Sequence, residues 1–137
     1  MSGAILNKAS FEFVIVLGAN LEHANSWSAN LADANLPSSK LVEADLVWRN
    51  LARAALVNAS LNGSNLSWVK LVDTDLTNAD LSAAILVSSD LSGSMMERYI
   101  LDQAFVCHTI MPDGVKSNCD LSYSDLTGSY LYEADLR

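Results

Sequence analysis

Proline, glycine, cysteine and basic residues are all scarce in this chain of 137 residues. Its two prolines, six scattered glycines and two cysteines exclude a collagen-like fibre and a disulfide-rich scaffold. Eight Lys and Arg residues stand against sixteen Asp and Glu residues, which gives a net charge of −8. Because nucleic-acid-binding proteins normally carry a basic patch, we expect no direct nucleic-acid binding.

Long hydrophobic segments are missing as well. The longest apolar run, Phe13 to Leu17, is far too short to span a bilayer. The segment from Met1 to Lys8 lacks the charged region and the apolar core of a signal peptide. These features predict a cytoplasmic protein that makes no membrane contact.

What the chain does contain is a large apolar residue at every fifth position. From Leu6 to Leu136 this register has 27 positions, and 25 of them carry Leu, Met, Val or Phe. A small residue lies two positions before most of them, and Asn or Asp lies one position before in the clearest copies. Since the register is the same at both ends, we expect a single domain over residues 1–137.

A period of five fits neither an α-helix nor a flat strand, because these repeat every 3.6 and 2 residues. On a helix, each step of five residues rotates by about 140°, so no single face could bury the leucines. The period instead favours a chain that turns a corner every five residues and places one leucine inside each edge. Four edges would close a square coil, stacked on the next coil at about 4.8 Å.

This motif, Ala or Ser followed by Asn or Asp and then Leu, resembles that of the pentapeptide-repeat proteins. Copies run from Ala29-Asn30-Leu31 to Ala134-Asp135-Leu136. The resemblance implies an all-β fold, a right-handed quadrilateral β-helix of about seven coils. The segment from Thr109 to Gly114 resembles one common near the ends of cyanobacterial members, which indicates a cyanobacterial source.

Residues 20 positions apart would stack on one face of such a coil. Trp48 and Trp68 are related in this way, and Trp27 lies 21 residues before Trp48. Apolar residues continue along this side, so we predict an interaction surface that comprises Trp27, Trp48, Trp68, Ile85, Phe105 and Cys107. Exposed apolar patches and tryptophans both mark protein interfaces. The competing interpretation is an aromatic ladder that packs only on itself.

Two bulky residues occupy corner positions where the repeat has Ala or Ser. Arg49 and Val69 stack one above the other there, and we expect them to distort the coil or to swing outward. Arg49 would then lie over Trp68 as a cation–π pair. At the amino-terminal side, apolar residues such as Val14 and Ile15 predict a cap or an end-to-end contact.

The carboxyl-terminal part departs further from the motif. Five consecutive outward positions are apolar, namely Met95, Ile100, Phe105, Ile110 and Val115. For Ser94 to Ala104 the favoured interpretation is an intact coil, and a short helix-like bulge is the alternative. Pro112-Asp113-Gly114 is a turn signal, and a charged Lys116 does not fit the core, so a loop is predicted at 112–118. The repeats are expected to resume at Cys119.

No catalytic, cofactor or metal site is predicted from the remaining residues. The two histidines, His23 and His108, should lie on different faces some four coils apart, which prevents them from acting as a pair. We expect Cys119 to be a small buried residue and Cys107 to point outward. A disulfide between them is not expected in a reducing cytoplasm.

Two functions remain open. The favoured one is a non-enzymatic binding or scaffold module, whose partner is an unknown protein or a second copy of the chain. Gyrase-inhibiting members of the family combine a rod of DNA-like width with an acidic surface, so an acidic DNA mimic is the alternative. However, a net charge of −8 on a rod of about 30 Å falls well below the one charge per roughly 1.7 Å of duplex DNA. Because they belong to the repeat, carboxylates such as Asp75 and Asp80 are expected to be solvated or to accept hydrogen bonds from the backbone amides of the turns.

Overall fold

Square coils of backbone stack on one another throughout the computed structural model, which describes residues 10, 14–15, 18–24 and 30–119. Parallel bridges join residues 20 apart along the chain, from Ser10–Asn30 to Asp90–Ile110. Each edge contributes one bridged residue, so the β-structure consists of isolated bridges, and the described residues contain no longer strand. The predicted coil of four five-residue edges is therefore confirmed.

A tight turn forms every corner of the coil. In the turn from Leu31 to Ala34, the N–H of Ala34 donates to the carbonyl of Leu31 at 3.2 Å, and Asp33 has a φ of 56°. A left-handed residue at the third turn position is typical of type II turns. The N–H groups of Leu31 and Asp33 donate to the next coil, to the carbonyls of Asn50 and Ala52, each at 2.9 Å. The backbone of one coil is thus satisfied by its neighbours.

The interior is a column of leucines. Every leucine of the register from Leu31 to Leu91 is at most 1% exposed. Small corner residues such as Ala34, Ala44 and Ser64 are equally buried and allow the edges to close. Each buried leucine stabilises the fold by about 1.5–3 kcal/mol relative to an exposed one, so the column supplies most of the hydrophobic driving force.

Arg49 and Val69 are accommodated inside the coil, contrary to the prediction. Arg49 is 6% exposed and Val69 is 1% exposed. The coil is undistorted there, since the N–H of Lys70 donates to the carbonyl of Arg49 at 2.9 Å and that of Asp90 to Val69 at 3.0 Å. Burial lowers the pKa of Arg49, and the nearby carboxylate of Asp45 opposes this shift. Within the described residues the aromatic contact is between Trp48 and Trp68, and Arg49 makes no cation–π pair.

The segment from Ser94 to Ala104 leaves the regular coil, so the favoured prediction of an intact coil was wrong and the bulge was correct. A 3-10 helix spans Arg98–Leu101. Ile100 is only 9% exposed, because the helix turns this apolar side chain inward. The N–H of Ala83 now donates to Gln103, one residue beyond the usual partner, and the register recovers when Leu86 donates to Phe105.

A hairpin follows the last complete coil and confirms the loop predicted at 112–118. Ile110 and Lys116 form an antiparallel bridge, and the N–H of Met111 donates to the carbonyl of Val115 at 2.9 Å. Gly114 adopts a φ of 82°, and Lys116 is exposed. The repeats expected to resume at Cys119 lie, apart from Cys119 itself, outside the described residues, as does Trp27.

No helix within the described ranges has the length and apolar character needed to cross a membrane. Ile15, near the amino-terminal side, is 69% exposed. The cap or end-to-end contact expected there stays a prediction.

Candidate interaction surface and the cysteine pair

Each corner of the coil presents its own column of outward residues. The columns contain the left-handed residues of successive coils, 20 positions apart. They are His23, Glu43, Gly63 and Ala83; Asp33, Arg53, Asp73 and Gly93; Gly18, Ser38, Asn58 and Asn78; and Trp48, Trp68, Ser88 and His108. Among these columns the last alone carries tryptophan, and we call Trp48, Trp68, Ser88 and His108 the tryptophan corner.

Trp48 and Trp68 stack face to face along the coil axis. Their ring centroids are 4.7 Å apart and their planes differ by 8°, which matches the spacing of adjacent coils. Trp48 is 62% exposed although its neighbour covers one face. Their φ values are 63° and 59°, a conformation that a bulky residue rarely adopts. The 20-residue separation predicts that the two rings stack on one face, and the structure confirms this.

The ladder is interrupted above Trp68. Ser88 occupies the next coil, and the ring of His108 follows one coil later. A cavity of about 420 Å³ opens between them, lined also by Ser89, Asp90, Ile110 and Lys116. Two coil steps, roughly 9.6 Å, separate the backbone of Trp68 from that of His108, which is about the height that one planar ring needs when it stacks one step above Trp68. We call this cavity the Ser88 notch.

Ile85 and Phe105 form a half-buried apolar pair beside the tryptophan corner. They are bridged to each other, in the column that carries Asp45 and Asn65 in earlier coils. This column precedes the tryptophan corner by three residues along each edge. The described part of the predicted surface therefore consists of two adjoining columns.

Cys107 does not belong to that surface. It is fully buried and bonded to Cys119, with the two Cα atoms 4.5 Å apart. The predictions of an outward thiol and of unpaired cysteines were both wrong. The hairpin is the physical reason, because it turns the chain back toward the coil and is held there by the N–H of Ser117, which donates to the carbonyl of Thr109 at 2.8 Å.

His108 adjoins the cysteine pair. One ring nitrogen and the sulfur atoms of Cys107 and Cys119 all lie within 4.8 Å of one another. Sequence spacing missed this set because none of the usual zinc spacings is present. The signal available was the Pro112-Asp113-Gly114 turn midway between the two cysteines, because a turn there can bring the flanking residues together.

The charged corners have ordinary structural roles. His23 Nδ1 lies 3.1 Å from Glu43, and Arg53 donates two hydrogen bonds to Asp33 at 2.7 and 2.6 Å. The hydrogen bond from Arg53 lowers the pKa of Asp33. Along the edges, Asp75, Asp80 and Asp90 each accept a hydrogen bond at 3.0 Å from the N–H two residues later. These carboxylates bind turn amides, as the sequence predicted.

Comparison with known proteins bears on the fold. The profile of pentapeptide repeats matches the chain in eight copies, over residues 17–48, 29–67, 39–78, 59–98, 74–111 and 117–137. No enzyme family is indicated. Among curated proteins, none matches the sequence significantly.

Solved structures of similar chains come from several sources. The pentapeptide repeat protein Rfr23 from the cyanobacterium Cyanothece 51142 is 24% identical, with 71% of this chain and 83% of that one covered and a TM-score of 0.48. HetL from Nostoc sp. strain PCC 7120, a protein involved in heterocyst differentiation regulation, is 28% identical, with 85% and 63% covered and a TM-score of 0.42. QnrB1, a plasmid-mediated fluoroquinolone resistance protein, is 13% identical, with 91% and 86% covered and a TM-score of 0.31.

Proposed function

Because the chain belongs to the pentapeptide repeat family, whose fold is a right-handed quadrilateral β-helix, we propose that it is a non-catalytic protein-interaction module. Its contact surface is the tryptophan corner together with Ile85 and Phe105. The proposal includes a single domain over residues 1–137 and a cytoplasmic location.

The stacked and exposed tryptophan pair carries this proposal. Trp48 leaves 62% of its surface in water, and tryptophan is the residue most enriched among interface hot spots. A left-handed backbone costs a non-glycine residue roughly 1–2 kcal/mol, and Asn or Gly would fill the corner with less strain. Two tryptophans in adjacent coils of one exposed corner, where the other corners carry small or polar residues, favour a role beyond the packing of the coil.

The Ser88 notch indicates how a partner would engage this surface. One aromatic side chain inserted beside Ser88 would stack between Trp68 and His108 and continue the ladder. Offset or parallel aromatic pairs contribute about 0.5–1.5 kcal/mol beyond their buried area. The net charge of −8 favours a partner surface that is neutral or basic.

A binding comparison of variants tests the proposal. Immobilised protein is incubated with a cyanobacterial lysate, and retained proteins are quantified for wild type, for Trp48→Asn/Trp68→Asn and for Asn58→Ser. Asn tolerates the left-handed conformation, so the double variant should fold and lose its partner, whereas Asn58→Ser at another corner should retain it. Equal retention by all three proteins would sink the proposal.

Light scattering on the same proteins separates a foreign partner from a second copy. A wild-type dimer that becomes monomeric in the tryptophan double variant identifies the surface as a homodimer contact.

The DNA-mimic alternative rests on the acidic charge, and a DNA-supercoiling assay distinguishes it. We expect no inhibition of gyrase at micromolar protein.

A further inference from the structure

We propose that Cys107, His108 and Cys119 form a zinc site in the reduced protein, and that the Cys107–Cys119 disulfide closes this site in the oxidised protein. The three ligand atoms come from the last described coil and from the chain just beyond the hairpin. This site is separate from the aromatic partner surface proposed above, apart from the shared ring of His108.

The donor set is the one that zinc prefers. Zinc sites use Cys sulfur and His nitrogen, and a Cys₂His set leaves a fourth tetrahedral position for water or a substrate. Thiolate and imidazole ligands together select zinc over calcium and magnesium, which take oxygen ligands. In the structure these three ligand atoms already lie within 4.8 Å of one another.

Only a small rearrangement separates the disulfide from the metal site. Zinc–sulfur bonds of about 2.3 Å at a tetrahedral angle place two sulfur atoms roughly 3.8 Å apart. Cys107 is fully buried in the coil, whereas Cys119 is half-buried and follows the hairpin. The bridge that ends the hairpin is Ile110–Lys116, three residues before Cys119. Movement of Cys119 away from Cys107 therefore leaves the bridges between coils intact.

Oxidation state decides whether the site exists. A dithiol reductant breaks the sulfur–sulfur bond, supplies two electrons and two protons, and becomes a disulfide itself. The two resulting thiols each release a proton when zinc binds, because the thiolate is the ligand. In the oxidised protein both sulfur atoms are bonded to each other and neither can become a thiolate.

Cobalt substitution provides the primary test. Full-length protein reduced with a phosphine is titrated with Co²⁺, and the thiolate-to-cobalt charge-transfer band and the tetrahedral d–d bands are recorded. Zinc affinity follows from displacement of the cobalt. We expect one equivalent of Co²⁺ with both bands for the reduced protein, and neither band for the air-oxidised protein.

Two histidine variants form a matched pair. His108 and His23 have φ values of 52° and 53°, and Asn tolerates this conformation at both sites. His108→Asn should weaken zinc binding by about 10-fold or more, since loss of even an outer partner of a ligand costs that much. His23→Asn should bind as tightly as the wild type.

The two cysteine variants test whether both sulfur atoms bind the metal. Cys107→Ser and Cys119→Ser should lose the charge-transfer band in part and should no longer respond to oxidation. Circular dichroism checks that every variant keeps its β-structure. A reduced wild type without cobalt bands, equal affinity in His108→Asn, or equal binding by the oxidised protein would each overturn the proposal.

Discussion

Left-handed corner positions select residues by their backbone chemistry, and most of them here are occupied by Asn, Asp, Ser or Gly. Of these, Gly, Asn and Asp enter the left-handed region at lower cost than bulky residues do. A salt bridge occupies one such corner, where Arg53 donates two hydrogen bonds to Asp33. Since both residues are at equivalent positions of adjacent coils, their pair links one coil to the next.

Asp33→Asn should destabilise the protein in a manner that depends on pH. The hydrogen bond from Arg53 lowers the pKa of Asp33 below its ordinary value of 3.8. Because the pKa of Asp33 is lower in the folded than in the unfolded protein, the ionised carboxylate stabilises the fold at pH values above 3.8. This contribution is lost as the pH falls through the folded-state pKa. The difference in unfolding free energy between wild type and Asp33→Asn should therefore be present at neutral pH and vanish in acid, as urea titrations can measure. In an Arg53→Ala background, Asp33→Asn should show no such dependence.

The Arg49 corner allows a second prediction at the level of the residue. Nε of Arg49 is buried and has no hydrogen-bond partner among the described residues. An unsatisfied buried donor costs about 1–3 kcal/mol, so Arg49→Ala should raise the free energy of unfolding by about 1 kcal/mol. Val69→Ala, one coil later at the same corner, should lower it by roughly 2 kcal/mol because only apolar contacts are lost. A loss with Arg49→Ala as large as with Val69→Ala would show that packing of the arginine stem dominates.

At the scale of the element, the corner turn is the unit that couples neighbouring coils. Gly93 has a φ of 69°, and a Cβ added there would overlap Oδ1 of Asp73 in the preceding coil. Gly93→Ala thus incurs both left-handed strain and a collision. Gly18 has a φ of 59° with nothing within 4 Å, and it isolates the strain alone.

We expect Gly18→Ala to cost about 1 kcal/mol of stability, and Gly93→Ala to cost roughly a few tenths of a kcal/mol more, because the exposed Asp73 side chain must rotate to make room. Thermal unfolding of both variants and of wild type measures the difference. Addition of Asp73→Ala should bring Gly93→Ala back to the cost seen at Gly18. If Gly93→Ala is no worse than Gly18→Ala, the Asp73 side chain rotates away freely and does not constrain the turn.

The elements also show where sequence reasoning succeeds and where it stops. One leucine per edge is a periodic signal that only a coil of five-residue edges can bury, so the fold and the stacking of Trp48 on Trp68 were predictable. The 3-10 helix at Arg98–Leu101 was not, because the five-residue spacing of apolar residues continues through it, and Ile100 turns inward from a position that the register assigns to the outside. The disulfide depends on the direction of the hairpin, which a turn signal alone does not define.

At the scale of the whole molecule, the parallel bridges of the described coils join each coil to the coils before and after it. In such an array, stability is a sum of terms for single repeats and for nearest-neighbour interfaces. The inner leucines contribute to both terms, since each packs within its own coil and against those above and below. A cavity in the core should therefore lower the local stability mainly of the coil that contains it and of the adjacent coils.

Leu61→Ala tests this view of the rod. Leu61 is fully buried, and its removal should lower the free energy of unfolding by about 3 kcal/mol. Hydrogen exchange should show the largest loss of protection at the amides of Leu41 and of the substituted position 61, which donate to the carbonyls of Ser60 and Asp80 in the wild type, and a smaller loss at Leu91. Val57→Ala, at a half-buried outer position, serves as the control and should change protection little. An equal loss of protection at all three amides would mean that the described coils open as one cooperative unit. Coupling between neighbouring coils would then be strong enough to hide the position of any single defect.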